Sequence, residues 1–224
     1  MSTDLFTGKA DFYAKARPGY PDAATEYVLS LAGKNAVFAD IGAGTGKFAE
    51  LLAKRGATVR AVEPNADMRS QLALTLAPYP NATVFGGSAE ETGLPDGCAD
   101  AVTCAQALHW FDPAAFRAEC RRIARPGGLV IAVYNDTPGN KSMARHNGAI
   151  EAFFRNPATR EFPNPITHTK ESWRAFSASH SHDPLPGDPG YAEHIAKADA
   201  VFGERSVNGV LRLDVVTRVY SELI

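Results

Sequence analysis

The chain has 224 residues, 23 basic against 25 acidic, and 45% of them are hydrophobic. That is enough apolar material for one large domain with a buried core, and the near balance of charge leaves no electrostatic footprint for nucleic acid or an anionic membrane. The longest apolar run, residues 129–133, is far too short to cross a bilayer. Met1-Ser2-Thr3-Asp4 lacks the basic-then-apolar build of a signal peptide. Cys98, Cys104 and Cys120 show neither C-x-x-C spacing nor even pairing, which predicts reduced, mostly buried thiols in a cytoplasmic protein with no metal site.

In chain order, residues 1–20 hold Phe6, Phe12, Tyr13, Tyr20 and the turn Arg17-Pro18-Gly19. Residues 21–31 read as a helix that starts behind a proline and stops at Gly33. Residues 36–41 form the first expected strand. Residues 47–54 are helical, with Phe48, Leu51 and Leu52 on one face and Gly56 as the stop. Strands follow at 58–62, 82–85, 101–104 and 129–133, with helices at 66–76 and 113–124, the latter starting behind Asp112 and stopping at Pro126-Gly127-Gly128. Strands alternating with helices argue a parallel, doubly wound sheet with right-handed crossovers. The pattern degrades after Tyr134. Residues 141–154 look helical, 155–190 read as a long loop or cap rich in Pro, Ser, His and Asn, 191–202 look helical, and 210–213 and 215–220 look like strands that complete the sheet. No repeat or linker marks a second domain, so 1–224 reads as one unit: an N-terminal lid and helix (1–35), a core (36–134), a cap (135–207) and closing strands (208–224).

The most informative segment is Asp40-Ile41-Gly42-Ala43-Gly44-Thr45-Gly46-Lys47. An apolar strand empties into glycines that allow positive φ and the close approach of a ligand, and a helix follows at once. The dinucleotide fingerprint G-x-G-x-x-G requires glycine where Lys47 stands. The phosphate-binding loop G-x-x-x-x-G-K-[ST] fails at Ile41 and at Phe48. An acid beside the turn repels a pyrophosphate and suits a ligand with an ammonium group. The second strand ends on Glu63, where an acid can accept both hydroxyls of a ribose. Ligands of an open parallel sheet bind at the carboxyl ends of its strands, here Asp40 to Gly46, Glu63, residues 86–90 and residues 106–111.

The pattern D-x-G-x-G-x-G resembles motif I of the class I S-adenosylmethionine-dependent methyltransferases. The run Tyr13 to Pro21, Y-x-x-x-R-P-x-Y-P, is similar to the lead segment of the small-molecule subgroup near the trans-aconitate and ubiquinone-biosynthesis enzymes, and Arg125-Pro126-Gly127-Gly128 matches its usual turn before strand five. The resemblance implies a Rossmann-like, mostly parallel seven-stranded α/β sheet with helices on both faces and the last strand antiparallel. For S-adenosylmethionine it implies the contacts Asp40, Gly42, Ala43 and Gly44 under the methionyl part, Glu63 and Pro64 at the ribose, Met68 on the adenine, Ser88-Ala89-Glu90 at the adenine edge, and Gln106. Tyr13 and Arg17 are expected at the methionyl carboxylate, since a guanidinium suits a carboxylate bidentately. Tyr20, His109, Trp110 and Tyr134 are the expected acceptor-side residues. Two departures stand out: the stretch between Phe154 and Phe162 is shortened, and His182 replaces an aromatic.

Methyl transfer is an in-line displacement that depends mainly on holding donor and acceptor close together. A carboxylate acceptor needs no base; a phenol or amine does, and His109, His180 and His182 are the candidates. The amino-methylating Asn/Asp-Pro-Pro-aromatic motif is absent, with Ala105-Gln106-Ala107-Leu108 in its place, as is a Pro-Cys dipeptide. The expectation is therefore methyl transfer to a small molecule by a monomer or homodimer that binds neither nucleic acid nor membrane. The alternatives are a non-catalytic binder of S-adenosylmethionine or S-adenosylhomocysteine on the same fold and, less favoured by Lys47, a NAD-dependent oxidoreductase.

Overall fold

Short apolar strands alternate with helices that are apolar on one face, and the only way to bury both is a sheet covered on its two sides. The computed structural model describes residues 18–33, 35–137, 142–179, 183–184 and 186–224. In order these form α1 (Asp22–Ala32), β1 (Val37–Ile41), α2 (Lys47–Lys54), β2 (Thr58–Val62), α3 (Ala66–Leu76), β3 (Ala82–Phe85), β4 (Ala99–Ala105), α4 (Pro113–Ile123), β5 (Ala124–Asp136), α5 (Ser142–Phe153), β6 (Ala158–Pro163), β7 (Ile166–His168), α6 (Lys170–Ala178), α7 (Tyr191–Arg205), β8 (Leu211–Leu213) and β9 (Val216–Leu223).

Helix starts follow local chemistry. Asn65 Oδ1 accepts the Met68 N–H of α3 at 2.9 Å, and Asp112 Oδ1 accepts the Ala115 N–H of α4 at 2.8 Å; each such cap is worth about 1 kcal/mol. Among the described residues the main sheet has seven strands in the order β3-β2-β1-β4-β5-β9-β6. β1 to β5 run parallel, and β9 is antiparallel to both of its neighbours. One face buries Phe38, Leu52, Val59 and Leu72 beneath α1–α3. The other buries Ile41, Val102, Phe116, Ile123 and Tyr134 beneath α4 and α5. Cys98, Cys104 and Cys120 are all buried and unpaired, and no helix among the described residues is long and apolar enough to cross a membrane.

Three features differ from the sequence reading. Residues 155–190 are not one loop, because β6 forms the edge of the main sheet and β7 and α6 follow. Five of the six residues of β6 are exposed, so the segment has no apolar alternation to read, and its order comes from pairing with β9. The strand expected at 210–213 does not complete the sheet: Leu211–Leu213 pairs with Ile166–His168 in a separate two-stranded sheet, whose small core of Phe202, Leu211, Leu213 and Val215 makes the cap. The strand expected at 129–133 is longer, because Ala124 already pairs with Ala99 before an irregularity that brings Leu129 beside Ala101.

The loop after β3 is fixed from beneath. Glu119, buried in α4, accepts the Thr92 N–H at 2.9 Å and its hydroxyl at 2.5 Å, and is paired with Arg122 at 2.6 Å. Thr92 in turn crowds the loop: a Cβ on Gly87 would lie 2.5 Å from its carbonyl oxygen. Arg122 and the bonds from Thr92 hold the Glu119 carboxyl down to about 2 from its ordinary 4.5. A depressed acid stabilises the fold above its unfolded pKa, and that contribution is lost as pH falls from about 4.5 towards about 2. Glu119→Ala is expected to cost about 2–4 kcal/mol in denaturant unfolding at pH 7, with a smaller difference from the parent at pH 3.

Candidate functional site

The sheet order reverses direction between β1 and β4, and an open parallel sheet leaves a crevice at that point, above the carboxyl ends of its strands. A cavity of about 340 Å³ occupies it. Its wall takes Gly42, Ala43, Gly44, Thr45 and Lys47 from the β1 turn and the start of α2, Glu63, Pro64, Asn65 and Met68 from the end of β2, and Ser88–Glu90 from the end of β3. The β4 end adds Gln106, Ala107, Trp110 and Phe111, the β5 end Asn135 and Thr137, and the cap Ile166, Phe176 and Val215.

The turn is held by backbone bonds across two strands. The N–H groups of Gly42 and Ala43 both donate to Val62 O, at 2.9 and 3.0 Å. Glu63 then bridges two segments: its Oε2 accepts the Gly44 N–H at 2.8 Å and its Oε1 the Asn65 N–H at 2.9 Å. Burial raises the Glu63 carboxyl above its ordinary range, opposed by those two bonds and by Arg69. The Arg69 guanidinium donates to the carbonyls of Glu63 and Pro64, which pins this corner.

The glycines have different reasons. Gly42 has φ +67°, and a Cβ there would lie 2.9 Å from Phe111 Cζ and 3.0 Å from Ala107 Cβ. Gly44 has φ +59°, and a Cβ there would meet nothing within 4 Å. It borders open space on the cavity wall. Asp40 lies below the turn, 1% exposed. Its Oδ1 accepts the Thr103 hydroxyl of β4 at 2.7 Å, while its Oδ2 is buried with no hydrogen-bond partner. Burial pushes its carboxyl up to about 7, with Glu63 adding to the rise and Thr103 opposing it.

Of the residues singled out in the sequence, Gly42, Ala43, Gly44, Glu63, Pro64, Met68, Ser88, Ala89, Glu90, Gln106, Tyr20 and Trp110 share this one cavity. Met68 is both a core residue, 2% exposed, and part of the wall. Gln106 holds φ +56°, uncommon for a residue with a side chain, and its Nε2 donates to Asn135 O at 3.1 Å. Tyr134 is fully buried and off the wall: its hydroxyl accepts the His109 N–H at 3.1 Å and stands 3.2 Å from His109 Nδ1. His109 is also off the wall, packed on Trp110 and on His146, whose ring stacks on Tyr134. His146 Nδ1 lies 2.6 Å from Asp136 Oδ1, and Asp136 pairs with Arg218 as well. Tyr13, Arg17, His180 and His182 lie outside the described residues.

The sequence reading missed Asn135 and the cap residues. Period-two alternation carried the first signal: Val130, Ala132 and Tyr134 face α4 and α5, which turns Asn135 the other way. Ile166, Phe176 and Val215 carry no local signal, because the cap packing that brings them to the wall joins residues far apart in sequence.

Gly44→Ala is expected to cost only about 1–2 kcal/mol from its left-handed backbone while placing a methyl group on the cavity wall. Gly42→Ala adds a collision and is expected to cost about 2–4 kcal/mol. Thermal unfolding of the two variants beside the parent checks the order.

Residues 39–132 match a methyltransferase domain model. An uncharacterised methyltransferase of Mycobacterium tuberculosis is 39% identical over 157 residues, 69% of this chain and 63% of that protein. The chain thus spans less than two thirds of that relative's length. A ubiquinone biosynthesis O-methyltransferase of Methylococcus capsulatus is 38% identical over 106 residues, 46% of this chain and 44% of its own. Among solved structures, the YcgJ protein of Bacillus subtilis superimposes with a TM-score of 0.60 at 15% identity, covering 91% of this chain and 98% of that one.

Proposed function

The chain belongs to the class I S-adenosylmethionine-dependent methyltransferases, and from that premise we propose that it transfers a methyl group from S-adenosylmethionine to a small-molecule acceptor. One observation carries the reading: the β1 turn and the Glu63 carboxylate meet on one wall of a single cavity, joined by the Gly44 N–H bond to Glu63. Further support comes from the fit of the wall to the cofactor. Gly44 leaves room where a side chain would stand. Asp40 keeps a buried carboxylate oxygen without a partner beneath the turn, which favours a cationic ligand above it. Glu63, with lone pairs beyond the two it already uses, can accept ribose hydroxyls.

When bound, S-adenosylmethionine supplies an electrophilic methyl carbon, attacked by an acceptor lone pair while the carbon–sulfur bond breaks and its electron pair stays on sulfur. The chain's own residues position and shield. Glu63 and the β1 turn would hold the ribose and methionyl ends, Met68 and Ser88–Glu90 would border the adenine, and Trp110 and Phe111, on the same wall, would offer aromatic faces that tolerate a cation. Holding donor and acceptor at near-attack distance in a space closed by the cap supplies most of the acceleration. His109, off the wall and bonded to Tyr134, acts through the position of Trp110 rather than as the base.

Calorimetric titration with S-adenosylmethionine and, separately, with NAD tests the reading: micromolar binding of the first alone is expected, and binding of NAD alone overturns it. Glu63→Ala should weaken S-adenosylhomocysteine binding at least about thirtyfold, the loss expected for charge-assisted hydrogen bonds. Asp40 gives the pH dependence. Its carboxyl is raised to about 7 by burial, so the stability it contributes is present at low pH and lost as pH rises through 7. The ligand's ammonium favours the ionised form, so affinity for S-adenosylhomocysteine should climb roughly tenfold from about pH 5.5 to about pH 7.5. Asp40→Asn should flatten that slope; an unchanged slope would remove Asp40 from cofactor binding.

A further inference from the structure

The cavity has two chemically unlike ends. Towards β2 and β3 its wall carries Glu63 and Glu90, with Lys47 at the start of α2. Towards β5 and the cap, no described wall residue is charged: Ile166, Phe176 and Val215 close that end beside Trp110. The amide nitrogens of Asn135 and Gln106 there donate to the scaffold. Asn135 Nδ2 donates to Gly19 O at 3.1 Å, and its Oδ1 accepts the Thr217 hydroxyl at 2.6 Å and Asn164 Nδ2 at 3.2 Å. Gln106 donates its amide to Asn135 O, and its Oε1 is buried without a hydrogen-bond partner. Thr137 adds a neutral hydroxyl.

From this we infer that the acceptor is a neutral small molecule with an apolar body, seated between Trp110 and the cap, and not a polycarboxylate or a phosphate ester. The inference rests on the methyltransferase reading and gives its substrate class. An anionic acceptor would have to leave water for an end whose described wall residues carry no cation, and a charge buried without a partner is strongly disfavoured. An apolar body removes the Ile166, Phe176 and Val215 surfaces from water instead. The cap thus selects the acceptor, and the sheet end holds the cofactor.

The test uses two probes of one shape, 2-naphthol and 2-naphthoate, titrated calorimetrically at pH 7 into the full chain with and without saturating S-adenosylhomocysteine. The naphthol is expected to bind at least about tenfold more tightly than the naphthoate, and Ile166→Lys, which places a cation at that end, to reverse the preference. Equal or tighter naphthoate binding by the parent, or no naphthol binding in either state, overturns the inference. Failure of S-adenosylhomocysteine itself to bind is a separate result: it removes the methyltransferase reading while the probe preference is still read on the unloaded chain.

Discussion

The site depends on one carboxylate that joins two strands. Glu63 stands at the end of β2, yet its two oxygens take the backbone N–H of Gly44 from the β1 turn and of Asn65 at the start of α3. The parallel pairing of β1 with β2 brings Ile41 beside Val62, so the next residues of both strands must leave the sheet together. Without the bridge, the turn would present a half-buried donor with no protein acceptor, which is unfavourable. The same bonds aim Glu63 at the cavity, so the interaction that shapes the turn also orients the group offered to a ligand.

Burial of acids beneath a ligand site is unfavourable for the free protein, and this fold keeps two of them together. Asp40 and Glu63 both have raised pKa values, each chiefly from burial. Neither is neutralised by a salt bridge among the described residues; Arg69 hydrogen-bonds backbone carbonyls and opposes the rise of Glu63 only through its charge. That arrangement leaves negative potential where a cationic ligand would gain most. Glu119 is the contrasting case. It meets Arg122 and Thr92 directly, and its pKa falls; it stabilises the loop without facing the cavity.

The Asn135 cluster has the corresponding role on the other side. One amide ties β5 to Gly19, to Asn164 after β6 and to Thr217 of β9. Segments far apart in the chain thereby converge beside the cavity, held by an Asn135 amide whose oxygen and nitrogen both bond to the scaffold. Packing of the cap supplies the rest, since Trp173 donates its indole N–H to Ala198 O at 2.8 Å and joins α6 to α7.

Much of the architecture was legible in the residues. The bounds of α2, β2, α3 and β3 follow from apolar periodicity and from glycine and proline signals, and the strand–glycine–helix turn with its two flanking acids located the cavity. These are local properties, decided within a few residues of backbone conformation and capping. Tertiary structure decided what local signals cannot carry. It chose the partner of Leu211–Leu213, since an apolar alternation marks a strand but not its neighbour, and it ordered Ala158–Pro163, whose exposed residues have no pattern until β9 supplies hydrogen bonds. It also turned Tyr134 into the core and brought Ile166, Phe176 and Val215 to the wall, because which face a strand buries and what a cap covers depend on contacts between residues far apart in sequence.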